Sequence, residues 1–153
     1  MNLIAPHTII SQPVPDDLDS LNKVIRVAKE MTEICNRTVS TGYALAHCQV
    51  EAENPLRFFV FNMGSIMINP RIVNHTKTTV DSEEGCLSFL GKARVTVQRW
   101  NKIQVSCTLV DPEMFDGQPI HYDNLDLSGL EARIVQHEID HFDGITIFDQ
   151  ERK

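Results

Sequence analysis

Two histidines and a glutamate stand close together near the end of the chain, in the order His137-Glu138-Ile139-Asp140-His141. Residues four apart share one face of an α-helix, so both imidazoles can bind a single cation while the Glu138 carboxylate lies beside it and moves a proton. This pattern predicts a metal-dependent hydrolase. The alternative, for the pattern taken alone, is a surface helix that carries two solvated imidazoles.

The sequence around this motif predicts a helix from about residue 129 to residue 143. Ser128 is suited to cap its N-terminus, and Gly144 is suited to end it. One stripe along this helix is expected to face the core, and its members are Leu130, Ile134, His137 and His141. Polar rings on a buried face need partners, and one metal ion is a partner for both.

A third protein ligand is expected, because catalytic sites of this type usually hold the ion with three protein ligands and one exchangeable water. In metzincins that ligand is a histidine at the position of Ile147, which excludes the class, and the only glutamate downstream is Glu151. The ligand is therefore expected upstream, among His7, His47, His75, His121, Cys35, Cys48, Cys86 and Cys107. Cys86 stands out because Gly85 lets the backbone beside it approach another group closely.

Three segments, taken in order, resemble the peptide deformylase family, whose members remove the formyl group from the N-terminal methionine of nascent chains. Gly42–Gln49 reads GYALAHCQ, Glu84–Ser88 reads EGCLS, and Gln136–His141 reads QHEIDH. Each segment matches a signature of that family, and together they cover residues from about 42 to 144. One departure is Ala44, which replaces a glycine of the family and bears on substrate preference more than on the chemistry.

The resemblance implies a role for residues in each segment. The metal ligands would be Cys86, His137 and His141. Glu138 would accept a proton from the attacking water and deliver it to the departing amine. The Gln49 side chain and the backbone N–H of Leu87 would stabilise the oxyanion that forms on the formyl oxygen.

The resemblance also implies a substrate site, in which the peptide adds as a strand and its methionine side chain enters a pocket on the metal helix. The residues concerned are Gly42, Tyr43, Ala44, Gly85, Leu130 and Ile134. For Leu130 and Ile134, simple packing into the core is the alternative.

Two further carboxylates are expected to support the site. Glu84 is expected to pair with Arg99 or Arg133 and so to hold the segment that carries Cys86. Asp140 is expected to accept a proton from an imidazole of the metal site and so to orient it. The alternative for both is an ordinary surface carboxylate.

One divalent metal ion is expected as the cofactor. The resemblance implies Fe(II) as the physiological metal, with Zn(II), Ni(II) or Co(II) able to substitute. A cysteine with two histidines also accepts zinc readily.

The partners that the resemblance implies are N-formyl-methionyl peptides and, transiently, the ribosome. A net charge of −7 argues against direct binding of nucleic acid, and the only modest basic cluster is Lys92, Arg94 and Arg99. No apolar stretch is long enough to span a membrane and no signal peptide is recognisable, so a cytoplasmic protein is expected, as a monomer.

The chain has 153 residues, 42% of them apolar, and no repeat or linker-like stretch, so one domain over residues 1–153 is expected. The expected class is α+β, with antiparallel or mixed β-strands packed around a central C-terminal HExxH helix and with an N-terminal helix from about Pro15 to Arg37. Strands are predicted at 56–62, 66–68, 94–98, 102–110 and 119–122, with a hairpin turn at Asp116-Gly117. Because the chain stops soon after Phe148, we expect a short form of the family, without a C-terminal helix or tail.

Two other functions remain open at this point. One is a related metallo-amidase or peptidase with a different substrate, and the other is a non-catalytic binding protein in which the ion only joins the helix to the cysteine segment. A structural metal site would ordinarily be closed by a fourth protein ligand. Because such a site needs neither Glu138 nor Gln49, their presence favours catalysis.

Overall fold

The computed structural model describes residues 1–4, 9–38, 44–62, 64–85 and 94–149. Within these ranges the helices and strands are, in chain order, α1 (Leu18–Thr38), β1 (Ala44–Ala46), β2 (Phe58–Phe61), β3 (Ser65–His75), β4 (Thr79–Glu84), β5 (Val95–Trp100), β6 (Lys102–Val110), β7 (Ile120–Ser128) and α2 (Gly129–Phe142). The expected α+β class is confirmed, with one helix toward each end of the chain and antiparallel strands between them.

The strands form two separate sheets. Five of them pair in the order β1-β2-β3-β6-β7, and each neighbouring pair is antiparallel. The other two described strands, β4 and β5, pair with each other and form a two-stranded antiparallel unit, which we call the β4–β5 ribbon. Because a two-stranded ribbon is marginally stable alone, this one depends on its contacts with the rest of the protein.

The five-stranded sheet lies between the two helices. Successive side chains of a strand point to opposite faces, and β2 shows this directly. Phe58 and Val60 pack with the buried face of α1, whereas Phe59 packs with the buried face of α2. Apolar residues therefore cover both faces of the sheet, and each helix buries one face.

Both helices begin close to where the sequence predicts. Asp17 caps α1, because its carboxylate accepts the backbone N–H of Ser20 at 2.7 Å. The extended residue Ser128 precedes α2, although its side chain makes no capping bond. Beyond the end of α2, Gly144 takes a φ of 75° and donates its N–H to the carbonyl of His141, as a helix-ending glycine does.

The strand predictions were accurate at three places and incomplete at others. The predictions for β2, β5 and β6 agree with the structure to within two residues at each end. β3 and β7 are longer than predicted, because each continues through a shift of register, after Ile68 in β3 and opposite Val105 to Cys107 in β7. β1 and β4 were missed. The predicted turn is present, with φ values of 54° at Asp116 and 70° at Gly117.

An amide side chain fastens the N-terminal segment to the sheet. Oδ1 of Asn69 accepts the backbone N–H of Val14 at 2.8 Å, and Nδ2 of Asn69 donates to the carbonyl of Val14 at 2.9 Å. The segment also reaches the far end of α2, where the N–H of Ser11 donates to the carbonyl of Phe142 at 2.8 Å. Among the described residues, no helix is long and apolar enough to cross a membrane.

Candidate metal centre

The structure brings the two histidines and the glutamate of α2 together. The Nε2 atoms of His137 and His141 lie 3.1 Å apart, and the two rings meet edge to face. One ligand atom from each of His137, Glu138 and His141 falls within 4.8 Å of the other two. His141 and Glu138 are each 4% exposed, so these groups face the interior and not the solvent.

This arrangement fits a bound divalent ion. Two nitrogens held at metal–nitrogen distances of about 2.1 Å in a tetrahedron stand about 3.4 Å apart, close to the observed separation. Burial lowers the pKa of His141 to about 3, so its imidazole is neutral and offers a lone pair. No described residue supplies a hydrogen bond to the buried Oε2 of Glu138, which points to a further group at this place.

Glu138 has the electrostatic surroundings of a general base. Its carboxyl group is buried, and burial raises its pKa to about 7, with the charges of His137 and Arg99 opposing the rise. A carboxyl group that titrates near neutral pH can both accept and release a proton under working conditions. The side chain can therefore carry a proton between two reacting groups.

An ion-pair network fixes the orientation of His137. Nδ1 of this histidine lies 2.8 Å from Oε1 of Glu84, so the Nδ1–H donates to the carboxylate and the lone pair of Nε2 faces His141. Glu84 in turn accepts two bonds from Arg99, at 2.7 and 3.0 Å. Burial opposes ionisation of Glu84, but the hydrogen bonds from His137 and Arg99 prevail and lower its pKa to about 2.

The network confirms one prediction about the carboxylates and corrects another. Glu84 pairs with Arg99, as one of the two expected partners. Asp140 binds Arg99 as well, and at His137 the carboxylate that binds Nδ1 is Glu84 and not Asp140. Arg99 is only 4% exposed, so it cannot belong to a basic surface cluster with Lys92 and Arg94.

Gln49 lies in a short 3-10 turn, His47–Gln49, that directly follows β1. Its side chain is 2% exposed, and its Oε1 accepts the backbone N–H of Ala46 at 2.9 Å. This bond fixes the orientation of the Gln49 amide. The neighbouring Cys48 contacts α2, with its Sγ 3.5 Å from the carbonyl oxygen of His141, so the turn is fastened beside the metal helix.

The other predicted substrate residues have mixed surroundings. Ala44 begins β1 at the edge of the five-stranded sheet, opposite Phe61, where a further strand can pair. Leu130 is 53% exposed and Ile134 is half-buried, so the expectation that this stripe of α2 faces the core is wrong at its N-terminal end. At Gly85, a Cβ atom would lie 3.7 Å from the Arg94 side chain, an ordinary van der Waals contact.

Several predicted site residues lie outside the described residues: Gly42, Tyr43, Cys86 and Leu87. The third metal ligand, the backbone donor and part of the substrate edge therefore stay predictions. The bonds between Gln136 and Trp100 were not predicted, because Gln136 stood out in the sequence only as part of the QHEIDH segment. The signal available for them was the position of Gln136 beside the apolar Val135, on the buried side of α2.

Comparison with known proteins identifies the family. A family model described as polypeptide deformylase matches residues 5–153. The chain belongs to this family. Peptide deformylase 1 of Clostridium perfringens is 34% identical over 143 residues, which cover 90% of this chain and 86% of that protein.

Solved structures agree with the family. The crystal structure of peptide deformylase from Thermotoga maritima superposes with a TM-score of 0.73 at 28% identity, covering 99% of this chain and 97% of that chain. A deformylase from a Vibrio parahaemolyticus bacteriophage, solved in complex with actinonin, gives a TM-score of 0.75 at 33% identity, covering 95% of this chain and 99% of that one. The chain spans a smaller part of some curated relatives. It is 27% identical to chloroplastic peptide deformylase 1B from Solanum lycopersicum, and the match covers 98% of this chain but 54% of that protein.

Proposed function

We propose that this protein removes the formyl group from N-formyl-methionyl peptides and releases formate. The observation that carries the proposal is the convergence of the His137 and His141 Nε2 atoms beside a buried Glu138 oxygen that no described residue binds. A purely structural metal site has no use for such a carboxylate, whereas a hydrolase needs it to handle protons.

The proposed cofactor is one divalent ion, held by His137, His141 and Cys86. Bound by these residues, such an ion would supply Lewis acidity, which polarises a carbonyl group and makes water easier to deprotonate. We propose Fe(II) as the physiological metal, with Zn(II), Ni(II) or Co(II) able to replace it, since a thiolate and two imidazoles accept each of them.

Glu138 carries the proton in the proposed reaction. Water attacks the formyl carbon while the Glu138 carboxylate accepts its proton, and the same group then donates that proton to the amine as the C–N bond breaks. The pKa of about 7 suits both halves of this task. Because the side chain is buried and fixed on α2, it needs little rearrangement during the reaction.

The oxyanion is proposed to be stabilised by two donors, the amide of Gln49 and the backbone N–H of Leu87. The bond from Ala46 to the Gln49 oxygen supports this assignment, because it holds the amide in one orientation beside the metal helix. Removing one donor of this kind typically slows a reaction by about 100- to 1,000-fold.

The substrate is proposed to pair with the edge of β1 at Ala44, extending to Gly42 and Tyr43, and to pass near Gly85. Its methionine side chain would lie against Leu130 and Ile134, and the exposure of Leu130 supports this placement over core packing. We also propose that the protein acts as a cytoplasmic monomer that meets the ribosome only transiently.

The test is release of formate from formyl-Met-Ala-Ser, with acetyl-Met-Ala-Ser and free Met-Ala-Ser as comparisons. The metal-loaded protein is expected to release formate from the first peptide and to leave the acetyl peptide intact. Glu138→Ala should slow the release by about 100- to 10,000-fold. Glu131→Ala, on an exposed position of the same helix, is the matched control and should behave as the wild type. Unchanged release after Glu138→Ala would contradict the assigned proton transfer, and no release by the wild type would contradict the function.

A further inference from the structure

Gln136 makes an unusual set of bonds for a helix side chain. Its Oε1 accepts the backbone N–H of Trp100 at 2.9 Å, and its Nε2 donates to the backbone carbonyl of Trp100 at 2.7 Å. The same Nε2 donates to the carbonyl of Ala132 at 2.9 Å, one turn earlier in α2. The side chain is 5% exposed. Its two bonds to Trp100 resemble those that a neighbouring strand would make with the main chain of β5.

This pairing joins the β4–β5 ribbon to α2. Trp100 ends β5, and its N–H and carbonyl both turn toward α2. An amide is the side chain that can satisfy both groups, because it offers a donor and an acceptor side by side. A carboxylate would place a second oxygen, without a proton, against the carbonyl of Trp100.

The pairing closes a ring of contacts around His137. Gln136 binds Trp100, and the residue before Trp100, Arg99, binds Glu84. Glu84 then binds Nδ1 of His137, which directly follows Gln136 in the chain, so the ring is closed. Two connections between α2 and the ribbon therefore start from adjacent helix residues. A third link, the ion pair of Arg99 with Asp140, joins β5 to α2 on the same side.

We propose that Gln136 is a positioning residue for the metal centre, acting by holding the ribbon at the distance that lets Glu84 orient the His137 imidazole. The proposal rests on the metal centre of the proposed function and extends it. Changes in the groups that orient a metal-binding histidine typically weaken metal affinity by about 10- to 100-fold.

The test compares metal affinity in Gln136→Glu and Gln136→Met with that of the wild type, by titrating the metal-free protein with Co(II) and following its absorption. Both variants are expected to raise the dissociation constant by about 10-fold or more. At saturating metal, kcat should fall while KM for formyl-Met-Ala-Ser stays within about twofold, because the β1 edge is not part of the ring. Gln136→Met keeps the side-chain volume without adding a charge, so it serves if Gln136→Glu does not fold.

Two control variants separate positioning from a general loss of stability. Asn69→Asp changes an amide to a carboxylate in a second clamp of this kind, which holds Val14 and is not part of the ring around His137. Val24→Ala opens the core between α1 and the sheet. Both should lower the melting temperature and leave the Co(II) dissociation constant within about twofold of the wild type.

The proposal is overturned if the Gln136 variants keep the wild-type Co(II) affinity, or if Val24→Ala weakens it as much as they do. Metal affinity is measured without substrate, so the outcome is independent of the assay for formate. Wild-type protein that binds Co(II) but releases no formate would contradict the proposed function alone.

Discussion

At the scale of single residues, burial determines which protonation states the site can use. His47 shows the effect outside the metal centre. Its ring stacks on Phe58, with centroids 4.7 Å apart, and its Nδ1 accepts the N–H of Leu56 at 2.9 Å. Burial lowers its pKa to about 4, with Glu51 opposing the shift and Lys23 adding to it. His47 is therefore neutral in the folded protein, and its turn also carries Gln49.

This burial predicts a pH dependence of stability. In the unfolded chain His47 takes up a proton below about pH 6.5, whereas in the folded chain it resists protonation until about pH 4. Its contribution is therefore complete above pH 6.5 and is lost as the pH falls from 6.5 to 4, by up to about 3 kcal/mol. The free energy of unfolding of the metal-free protein, measured with urea at several pH values, should fall across this window. His47→Gln should make the fall shallower, and an equally steep fall in that variant would contradict the assignment.

At the scale of elements, polar contacts join the β4–β5 ribbon to α2, while Val95 and Val97 of β5 pack with Ile147 in a small apolar cluster. Its inward-facing residues on β4 are Ser82 and Glu84, and a buried Arg99 connects Glu84 to Asp140 on α2. β4 was missed in the sequence because its sequence, TVDSEE, lacks the apolar alternation of a half-buried strand. The pairing of carboxylates with one guanidinium replaces that alternation, and the pattern of apolar residues cannot reveal it.

Loss of Glu84 should therefore destabilise the junction between the ribbon and α2. Glu84→Ala removes one of the carboxylates that pair with the buried Arg99 and should cost roughly 3 kcal/mol of unfolding free energy. Glu83→Ala, the exposed neighbour on β4, is the control and should cost less than about 0.5 kcal/mol. Urea denaturation of both variants measures the difference, and equal losses would show that the buried pair does not hold the ribbon.

The sequence predicted the helices better than the sheet, and for a physical reason. Helical spacing and end signals, such as Gly144 after α2, are local, so both helices were located closely. The extensions of β3 and β7 depend on irregular pairing with β6, and the three-residue β1 depends on pairing with β2; neither is local. In the site, the motif predicted the meeting of His137 with His141, but not the bonds of Gln136 or the partner of Asp140.

At the scale of the whole molecule, the sheet separates two cores, and α2 brings the chemistry to one side of it. The α1 core stabilises the sheet from one face, while α2 covers the other face through Ala132, Val135 and Phe142. On the side of α2 that faces the β4–β5 ribbon, His137 and His141 converge on the candidate metal centre. The helix thus contributes to the core and to the site at once, which is why its position must be fixed by several independent contacts.

The most direct test of the central claim is X-ray absorption at the metal edge of protein loaded with a single Zn(II) or Co(II) ion. The account predicts one sulfur neighbour at about 2.3 Å, two imidazole nitrogens at about 2.0–2.1 Å and at least one exchangeable oxygen. His137→Ala should remove one of the nitrogen neighbours. A shell without sulfur, or one filled entirely by four protein side chains, would contradict the open centre formed by Cys86, His137 and His141.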